Sequence, residues 1–373
     1  YYNIIFDMKI LYTILLLVIS NIFMTFAWYG HLKLQEMKVI SNWPLYAVIL
    51  FSWSIALAEY ACQIPANRIG FVGNGGPFSL MQLKVIQEVI TLVIFTVFTT
   101  VFFKGCPLKC EWCHNPETQR FERELQCDKE KCVGCGTCAK VCPNNAITMV
   151  DGKPELDKEK CQLCGKCDNF CPQGIREIVG QEYPVKELVK ELMKDRMFYE
   201  QSGGGVTLSG GEVMAMSTDY ILQIAKALKK EEISLTIDTC GYVSYDKFEA
   251  ILPYVDTFLY DVKVMDPELH KKYIGVDNKL ILDNLVKLSD AGARIYVRIP
   301  TIKEVNGNVQ NMEDTIHFLK KHGIHPAQVN LLPYHNTGSR KYPKLGMEYK
   351  GTDLHAPEKE EMESFVKLFQ DAG

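Results

Sequence analysis

Apolar residues are concentrated in three runs within the first hundred positions. The first run, Ile10–Gly30, contains no charged residue, the second, Asn42–Ile64, is interrupted only by Glu59, and the third covers Val89–Phe103. A bilayer core about 30 Å thick is crossed by roughly 20 apolar residues in a helix. The pattern therefore predicts about three transmembrane helices in residues 8–98, with buried helices of a soluble protein as the alternative.

From Tyr183 onward, short apolar strands alternate with amphipathic helices such as Thr218–Lys230 and Asn311–His322. This alternation predicts a parallel sheet, with the chemistry at the C-terminal ends of its strands. The predicted strands are Thr99–Lys104, Val206–Gly211, Ser234–Gly241, Thr257–Lys263, Arg294–Pro300 and Gln328–His335. The expected fold class is α/β, a partial (β/α)6 barrel.

The junction between the apolar runs and the strand–helix pattern fits two incompatible structures. Thr99–Gly105 continues the third apolar run and also has the pattern of the first barrel strand, and one segment cannot easily be both. The triplet Thr-Val-Phe occurs at Thr96–Phe98 and again at Thr100–Phe102, and no linker separates the two patterns. We interpret the seam as a chimeric join, with membrane anchoring only if the join is natural.

Composition narrows the possible functions. The 373 residues are enough for two or three domains, and the net charge of −4 with a pI near 6.1 gives no basic field for nucleic acid. Of fourteen cysteines, twelve lie between Cys106 and Cys171. Their repeated short spacing favours metal ligation over a disulfide scaffold, which implies a reducing cytoplasm for the enzyme domain.

The first cysteine group, Cys106, Cys110 and Cys113, has the spacing C-x3-C-x2-C. Three thiolates hold three irons of a [4Fe–4S] cluster and leave the fourth iron open for a chelating substrate such as S-adenosylmethionine (SAM). The alternative is a zinc loop in which His114 supplies the fourth ligand. The spacing favours the radical SAM type of cluster.

Two further groups follow the pattern C-x2-C-x2-C-x3-C-P, which is typical of bacterial two-cluster ferredoxins. In that arrangement the fourth cysteine of each run serves the other cluster. The first quartet is therefore Cys132, Cys135, Cys138 and Cys171, and the second quartet is Cys161, Cys164, Cys167 and Cys142. With the first group, they predict three [4Fe–4S] clusters. Cys127 belongs to no pattern and is interpreted as a plain thiol.

The N-terminal segment resembles a small membrane family of the drug/metabolite-transporter type. The stretches that carry the resemblance are ISNIFMTFAWYG at Ile19–Gly30, EYACQIPANRIG at Glu59–Gly70 and FSLMQLKVIQEVITL at Phe78–Leu92. Members of that family have four spans, and here the fourth is missing.

Residues 99–373 resemble a glycyl-radical enzyme activating enzyme of the subtype with a ferredoxin insert. The motifs are FFKGCPLKCEWCHNPE at Phe102–Glu117, VTLSGGE at Val206–Glu212, IDTCGYV at Ile237–Val243, FLYDVK at Phe258–Lys263 and LLPYH at Leu331–His335. The resemblance implies a barrel over 99–126 and 177–373 that is interrupted by an insert over 127–176. It also implies the SAM site at the strand ends.

The resemblance assigns roles residue by residue. Gly210, Gly211 and Glu212 would lie along the methionine part of SAM, where the absence of a Cβ lets the backbone approach closely. The other implied SAM-site residues are Asn115, Asp238, Asp261 and Lys263 (the D-x-K pair), Arg298 and His335. For Arg298, an ion pair with a barrel carboxylate is the alternative.

The implied function is an activase that cleaves SAM reductively and places a radical on a glycine of a partner glycyl-radical enzyme. A flavodoxin or a ferredoxin would supply the electron. Three alternatives stay open: a ferredoxin-like electron carrier, a radical SAM enzyme acting on a small molecule, and a membrane transporter-like protein joined to an enzyme fragment.

Overall fold

The structure is a computed structural model, and it describes residues 2–25, 44–74, 76–84, 86 and 97–373. The chain divides into two compact units. One comprises Tyr1–Val97 with Gln201–Gly203, and the other comprises Phe98–Glu200 with Gly204–Gly373. The second unit therefore begins at the first barrel strand, one residue before the boundary that the sequence predicts.

The first unit is built on two long helices, α1 (Tyr2–Thr25) and α2 (Leu45–Gly70). Their shared core contains Leu17, Ala66 and Leu83. Each helix extends past its apolar run into polar sequence: α1 includes Asp7 and Lys9, and α2 includes Glu59, Pro65 and Arg68.

The prediction of transmembrane helices is not supported. Across the described residues, no helix combines the length and the apolar character that crossing a bilayer requires. Residues 26–43 and 87–96, which hold parts of the first, second and third predicted spans, lie outside the described residues. The end of the third run is a β-strand, because Phe98–Phe103 pairs with another strand of the barrel sheet.

The strands and helices of the second unit follow the predicted alternation. The strands are β1 (Phe98–Phe103), β2 (Glu124–Cys127), β3 (Ile147–Val150), β4 (Lys153–Leu156), β5 (Arg176–Val179), β6 (Gly205–Gly210), β7 (Ser234–Thr239), β8 (Thr257–Asp261), β9 (Ile295–Thr301) and β10 (Gln328–Pro333). The helices are α3 (Thr137–Lys140), α4 (Lys166–Asn169), α5 (Val185–Leu192), α6 (Arg196–Ser202), α7 (Thr218–Lys230), α8 (Tyr245–Ile251), α9 (Pro267–Ile274), α10 (Lys279–Asp290), α11 (Val309–Lys321) and α12 (Lys359–Ala372).

Six parallel strands form the barrel sheet, in the order β1-β6-β7-β8-β9-β10. Five of the six residues of β6 are buried, as expected for a strand covered on both faces. Helix α7 buries Ile221, Ile224, Ala225 and Leu228, which share one helical face by their spacing of three and four residues. The predicted partial (β/α)6 architecture is confirmed, and each predicted strand is present within two residues.

The ferredoxin-like insert consists of two antiparallel pairs, β2–β5 and β3–β4, with the short helices α3 and α4. The two halves repeat one local geometry: Gly136 and Gly165 each precede the short helix with a left-handed φ of 71° and 77°. The β2–β5 pair joins Glu124 to Val179. The insert is therefore closed by residues just outside the predicted limits of 127 and 176.

Candidate functional site

The first cysteine loop follows β1 directly, and backbone hydrogen bonds fix both of its ends. The Gly105 amide donates to the Thr118 carbonyl at 2.7 Å and the Cys106 amide to Gln119 at 3.0 Å. Further along, Lys109 donates to the carbonyl of Ile274, the last residue of α9. Cys106 and Cys110 pack against the buried cluster that includes Trp112.

The surroundings of the loop shift the pKa of each of its three thiols. Burial raises the pKa of Cys110 to about 12, and it also raises that of Cys113. The pKa of Cys106 is lowered, chiefly by a hydrogen bond with the buried thiol of Cys240. The positive charge of Lys263 acts against the effect of burial at Cys110. Thiolates held in such an apolar site require a positive partner, as a metal cluster would provide.

Four charged side chains form a network at the C-terminal ends of β7, β8 and β9. Arg298 donates to Asp238 and, at 2.7–2.9 Å, to Asp261. Lys263 forms an ion pair with the other oxygen of Asp261 at 2.6 Å. The second oxygen of Asp238 accepts from Ser209 at 2.7 Å. All four charged residues are among those expected in the SAM site, and the structure brings them together.

This network sets the ionisation of its carboxylates. Burial opposes the ionisation of Asp261, but Arg298 and Lys263 outweigh it and hold its pKa below the usual range. Burial dominates at Asp238 and raises its pKa despite Arg298. The pKa values of Arg298 and Lys263 are raised because their carboxylate partners outweigh burial. The side chains of Arg298 and Lys263 therefore stay positively charged. The polar groups of a bound ligand would face these fixed charges.

Glu212 is fully buried and its carboxylate is occupied by protein donors. It accepts from the Cys240 amide at 2.6 Å, the Thr239 hydroxyl at 2.8 Å and the Met214 amide at 2.9 Å. Burial raises its pKa, and these hydrogen bonds act against that shift. The Glu212 side chain thereby ties the end of β6 to the end of β7, and its expected position along SAM stays a prediction.

Gly210 and Gly211, the two residues before Glu212, must be glycines because the neighbouring backbone leaves no room for a side chain. Gly210 has a φ of 112°, and a Cβ there would collide with the backbone of Phe103. A Cβ on Gly211 would collide with the Gly105 carbonyl. The Gly211 amide donates to Phe103 at 2.9 Å and the Glu212 amide to Gly105 at 2.8 Å. These residues therefore hold the cysteine loop against β6, which places them beside the predicted site.

The remaining predicted residues, Asn115 and His335, lie on the Cys113 side of the loop. Asn115 accepts from the ammonium of Lys341 at 2.9 Å, and Lys341 also pairs with Glu117 at 2.6 Å. The His335 ring stacks on His114 with centroids 3.9 Å apart. Burial, and then the neighbouring His335, lower the pKa of His114.

Several residues around the loop carry no signal in the sequence. Cys240 received no role there, and its thiol lies beside Cys106. The hydroxyl of Tyr342 donates to the Cys113 carbonyl at 3.0 Å, and Lys341 comes directly before it. Both belong to a segment after β10 that carries no motif. Only the contacts of the folded chain identify them.

The eight remaining candidate ligands line two cavities in the insert. Four cysteines line each cavity, in the crossed pattern that the sequence predicts. One cavity is lined by the first quartet: Cys132, Cys135, Cys138 and Cys171. The other is lined by the second quartet: Cys142, Cys161, Cys164 and Cys167. Neither described lining includes a carboxylate. A set of four thiols fits an iron–sulfur cubane.

A single metal ion would require a tighter arrangement. In the part of the chain that the structure describes, no three Cys, His, Asp or Glu side chains converge closely enough to hold one ion. A cubane does not require such convergence, because each thiolate binds a different iron.

Three parts of the chain match known families. Residues 165–331 match the Radical SAM superfamily, and residues 131–175 match the 4Fe-4S dicluster domain. Residues 13–115 match a putative member of the DMT superfamily (DUF486). This last match continues through Phe98–Asn115, which the structure assigns to the second unit.

Several relatives match over most of their own length. The trans-4-hydroxy-L-proline dehydratase activating enzyme of Clostridioides difficile is 49% identical, over 73% of this chain and 90% of the relative. The choline trimethylamine-lyase activating enzyme of Oleidesulfovibrio alaskensis is 39% identical, over 68% and 83%. The benzylsuccinate synthase activating enzyme of Thauera aromatica is 37% identical, over 70% and 82%. The chain belongs to the glycyl-radical enzyme activating enzymes of the radical SAM superfamily.

Proposed function

We propose that this chain binds SAM at the open end of the barrel, cleaves it reductively, and abstracts a hydrogen from a glycine of a partner protein. One observation carries the proposal: Cys106 and Cys110 of the first loop lie within the electrostatic reach of Lys263, a member of the Asp238–Arg298–Asp261–Lys263 network at the strand ends. A cluster site next to fixed charges suits a ligand that carries both an amino group and a carboxylate.

Each residue of the site has a role that its contacts support. Cys106, Cys110 and Cys113 would hold the cluster, which, when bound with SAM, supplies one-electron cleavage to an adenosyl radical. Lys263 and Arg298 would attract the carboxylate of SAM, and Asp238 would attract its amino group. Glu212 positions the backbone of Cys240 beside the cluster ligands.

On the Cys113 side, we propose that Asn115 and the stacked pair His114–His335 line the adenosyl end of the site. The flat faces of His114 and His335 match the stacking that an adenine ring prefers, and Lys341 orients Asn115. Gly210 and Gly211 would act by placing the cysteine loop, since Gly210 packs against the backbone of Phe103 and Gly211 against that of Gly105.

For the insert, we propose two [4Fe–4S] clusters, one per quartet, that relay electrons from a flavodoxin or a ferredoxin to the barrel cluster. The cavities with four thiols each support this assignment. With the barrel cluster, the chain would bind three clusters, or about 12 iron atoms. If analysis found only about four iron and four sulfide ions per chain, the insert clusters would be excluded.

For the substrate, we propose a large partner enzyme that presents a glycine on an extended segment. An adenosyl radical must be shielded from water and aimed at one hydrogen, and a docked polypeptide achieves both. The most identical of the three relatives described above activates trans-4-hydroxy-L-proline dehydratase by its name. That type of dehydratase is the first partner to test.

The test is electron paramagnetic resonance (EPR) on candidate partners mixed anaerobically with the chain, SAM and dithionite. We expect a glycyl doublet that changes when the partner contains deuterated glycine, and no doublet with the Cys110→Ala variant. If SAM is cleaved but a metabolite is converted and no partner acquires a glycyl signal, the small-molecule alternative replaces this proposal.

A further inference from the structure

Arg176 is a buried cation between the two quartets of the insert. Only 3% of the residue is exposed. Its guanidinium donates to the Cys167 sulfur of the second quartet at 3.7 Å. The same residue lines the cavity of the first quartet, together with Cys138 and Cys171. Arg176 therefore contacts a ligand of the second quartet and lines the cavity of the first.

No carboxylate compensates this charge. Among the described residues, the contact with Cys167 is the hydrogen bond that its side chain makes, and no acidic group lies within ion-pair distance. A buried guanidinium without an anionic partner is strongly destabilising. The fold instead places sulfur around the guanidinium, which donates to Cys167 and lines the cavity that Cys138 and Cys171 share.

The fold holds Arg176 in this place. It is the first residue of β5 and pairs with Cys127, the last residue of β2. Because the pair is antiparallel, the side chains of Cys127 and Arg176 share one face of the ribbon. Both are buried there, at 8% and 3% exposure. The side chain cannot leave its site without opening the base of the insert.

We propose that Arg176 sets the reduction potential of the insert clusters, by hydrogen-bonding a ligand of one cluster and lining the cavity of the other. This inference rests on the proposed presence of those clusters. A cluster gains negative charge when it accepts one electron from the external donor, and no bond forms or breaks. A fixed cation stabilises the reduced form, so it raises the potential. The buried location makes the effect large because solvent does not screen it.

The experiment uses the full chain, loaded with iron and sulfide and titrated anaerobically with dithionite under EPR. Spectra with and without SAM separate the barrel cluster from the insert clusters. At the potential that half-reduces the wild-type insert clusters, we expect Arg176→Met to lower the reduced-to-oxidised ratio at least tenfold. For one electron this corresponds to a shift of about 59 mV to lower potential. Arg176→Lys keeps the charge and should shift the ratio less than threefold.

Lys166→Met is the matched control. Lys166 adjoins Cys167 in the chain but is exposed, so removing its charge should leave the ratio unchanged within about twofold. An unchanged ratio in Arg176→Met, or an equal shift in the control, would overturn the proposal. So would failure of both Arg176 variants to bind iron, since that outcome shows a structural role. Loss of iron in Arg176→Met but not in Arg176→Lys would support the charge requirement. Iron content of the wild-type chain tests the clusters separately.

Discussion

The carboxylate of Glu212 accepts the backbone amide of Cys240 at 2.6 Å, although the two residues are 28 positions apart. Both are buried, and both lie at the C-terminal ends of neighbouring strands. The bond fixes the position of the Cys240 thiol next to Cys106. This glutamate belongs to a glycine-rich motif, but its side chain is buried and holds the end of the neighbouring strand, β7.

Replacing Glu212 with glutamine tests this role. The glutamine side chain keeps one acceptor oxygen, but its NH2 group faces protein groups that also donate. Some of these buried hydrogen bonds are then lost. We expect Glu212→Gln to lower the free energy of unfolding by about 1–3 kcal/mol in anaerobic urea denaturation. Glu363→Gln is the control, because Glu363 is 68% exposed and its loss should change little. A smaller effect at Glu212 than at Glu363 would contradict the interpretation.

Removing Arg298 should leave two partly buried carboxylates without their shared cation, with Lys263 still paired to Asp261. We expect Arg298→Met to cost about 3–5 kcal/mol of unfolding free energy, and to weaken SAM binding measured by equilibrium dialysis. The double variant Arg298→Met with Asp238→Asn should recover part of the stability. Arg196→Met, whose side chain is 44% exposed, is the control. If Arg298→Met bound SAM as the wild type does, Arg298 would have no part in the SAM site.

Two cysteine variants should separate catalysis from electron relay. Cys110→Ala removes a ligand of the barrel cluster, so we expect no SAM cleavage with any reductant. Cys135→Ala damages one insert cluster, which dithionite could bypass, so some cleavage should remain. Cys62→Ala in the first unit is the control and should keep full activity. Complete loss in a folded Cys135→Ala variant would argue against the relay role. The readout is 5′-deoxyadenosine released per chain.

We expect a fragment of residues 97–373 to load iron and cleave SAM as the full chain does. The first barrel strand begins at Phe98, and every residue assigned to the site belongs to the second unit. Iron content and 5′-deoxyadenosine release measure the comparison. Activity that requires residues 1–96 would show that the first unit takes part in the reaction, and the interpretation of the seam as a chimeric join would then be wrong.

The sequence predicted those features that depend on local spacing. The crossed quartets follow from two copies of one cysteine motif, because a cubane constrains the few residues that wrap around it. The barrel strands and α7 follow from apolar periodicity, since a parallel sheet requires buried strands and one-sided helices. The three apolar runs predicted transmembrane helices, but no helix among the described residues is long and apolar enough to cross a bilayer.

Other features were decided only by the tertiary structure. The Glu212 side chain points to Cys240 because β6 and β7 are neighbours, and nothing within VTLSGGE encodes that. Arg176 lies between two cavities because β5 pairs with β2, 49 positions earlier at that register. Likewise His114 stacks on His335 only when β10 closes the sheet. Local sequence specifies which groups a chain carries, but the partner of a buried charge depends on the strands that pack beside it.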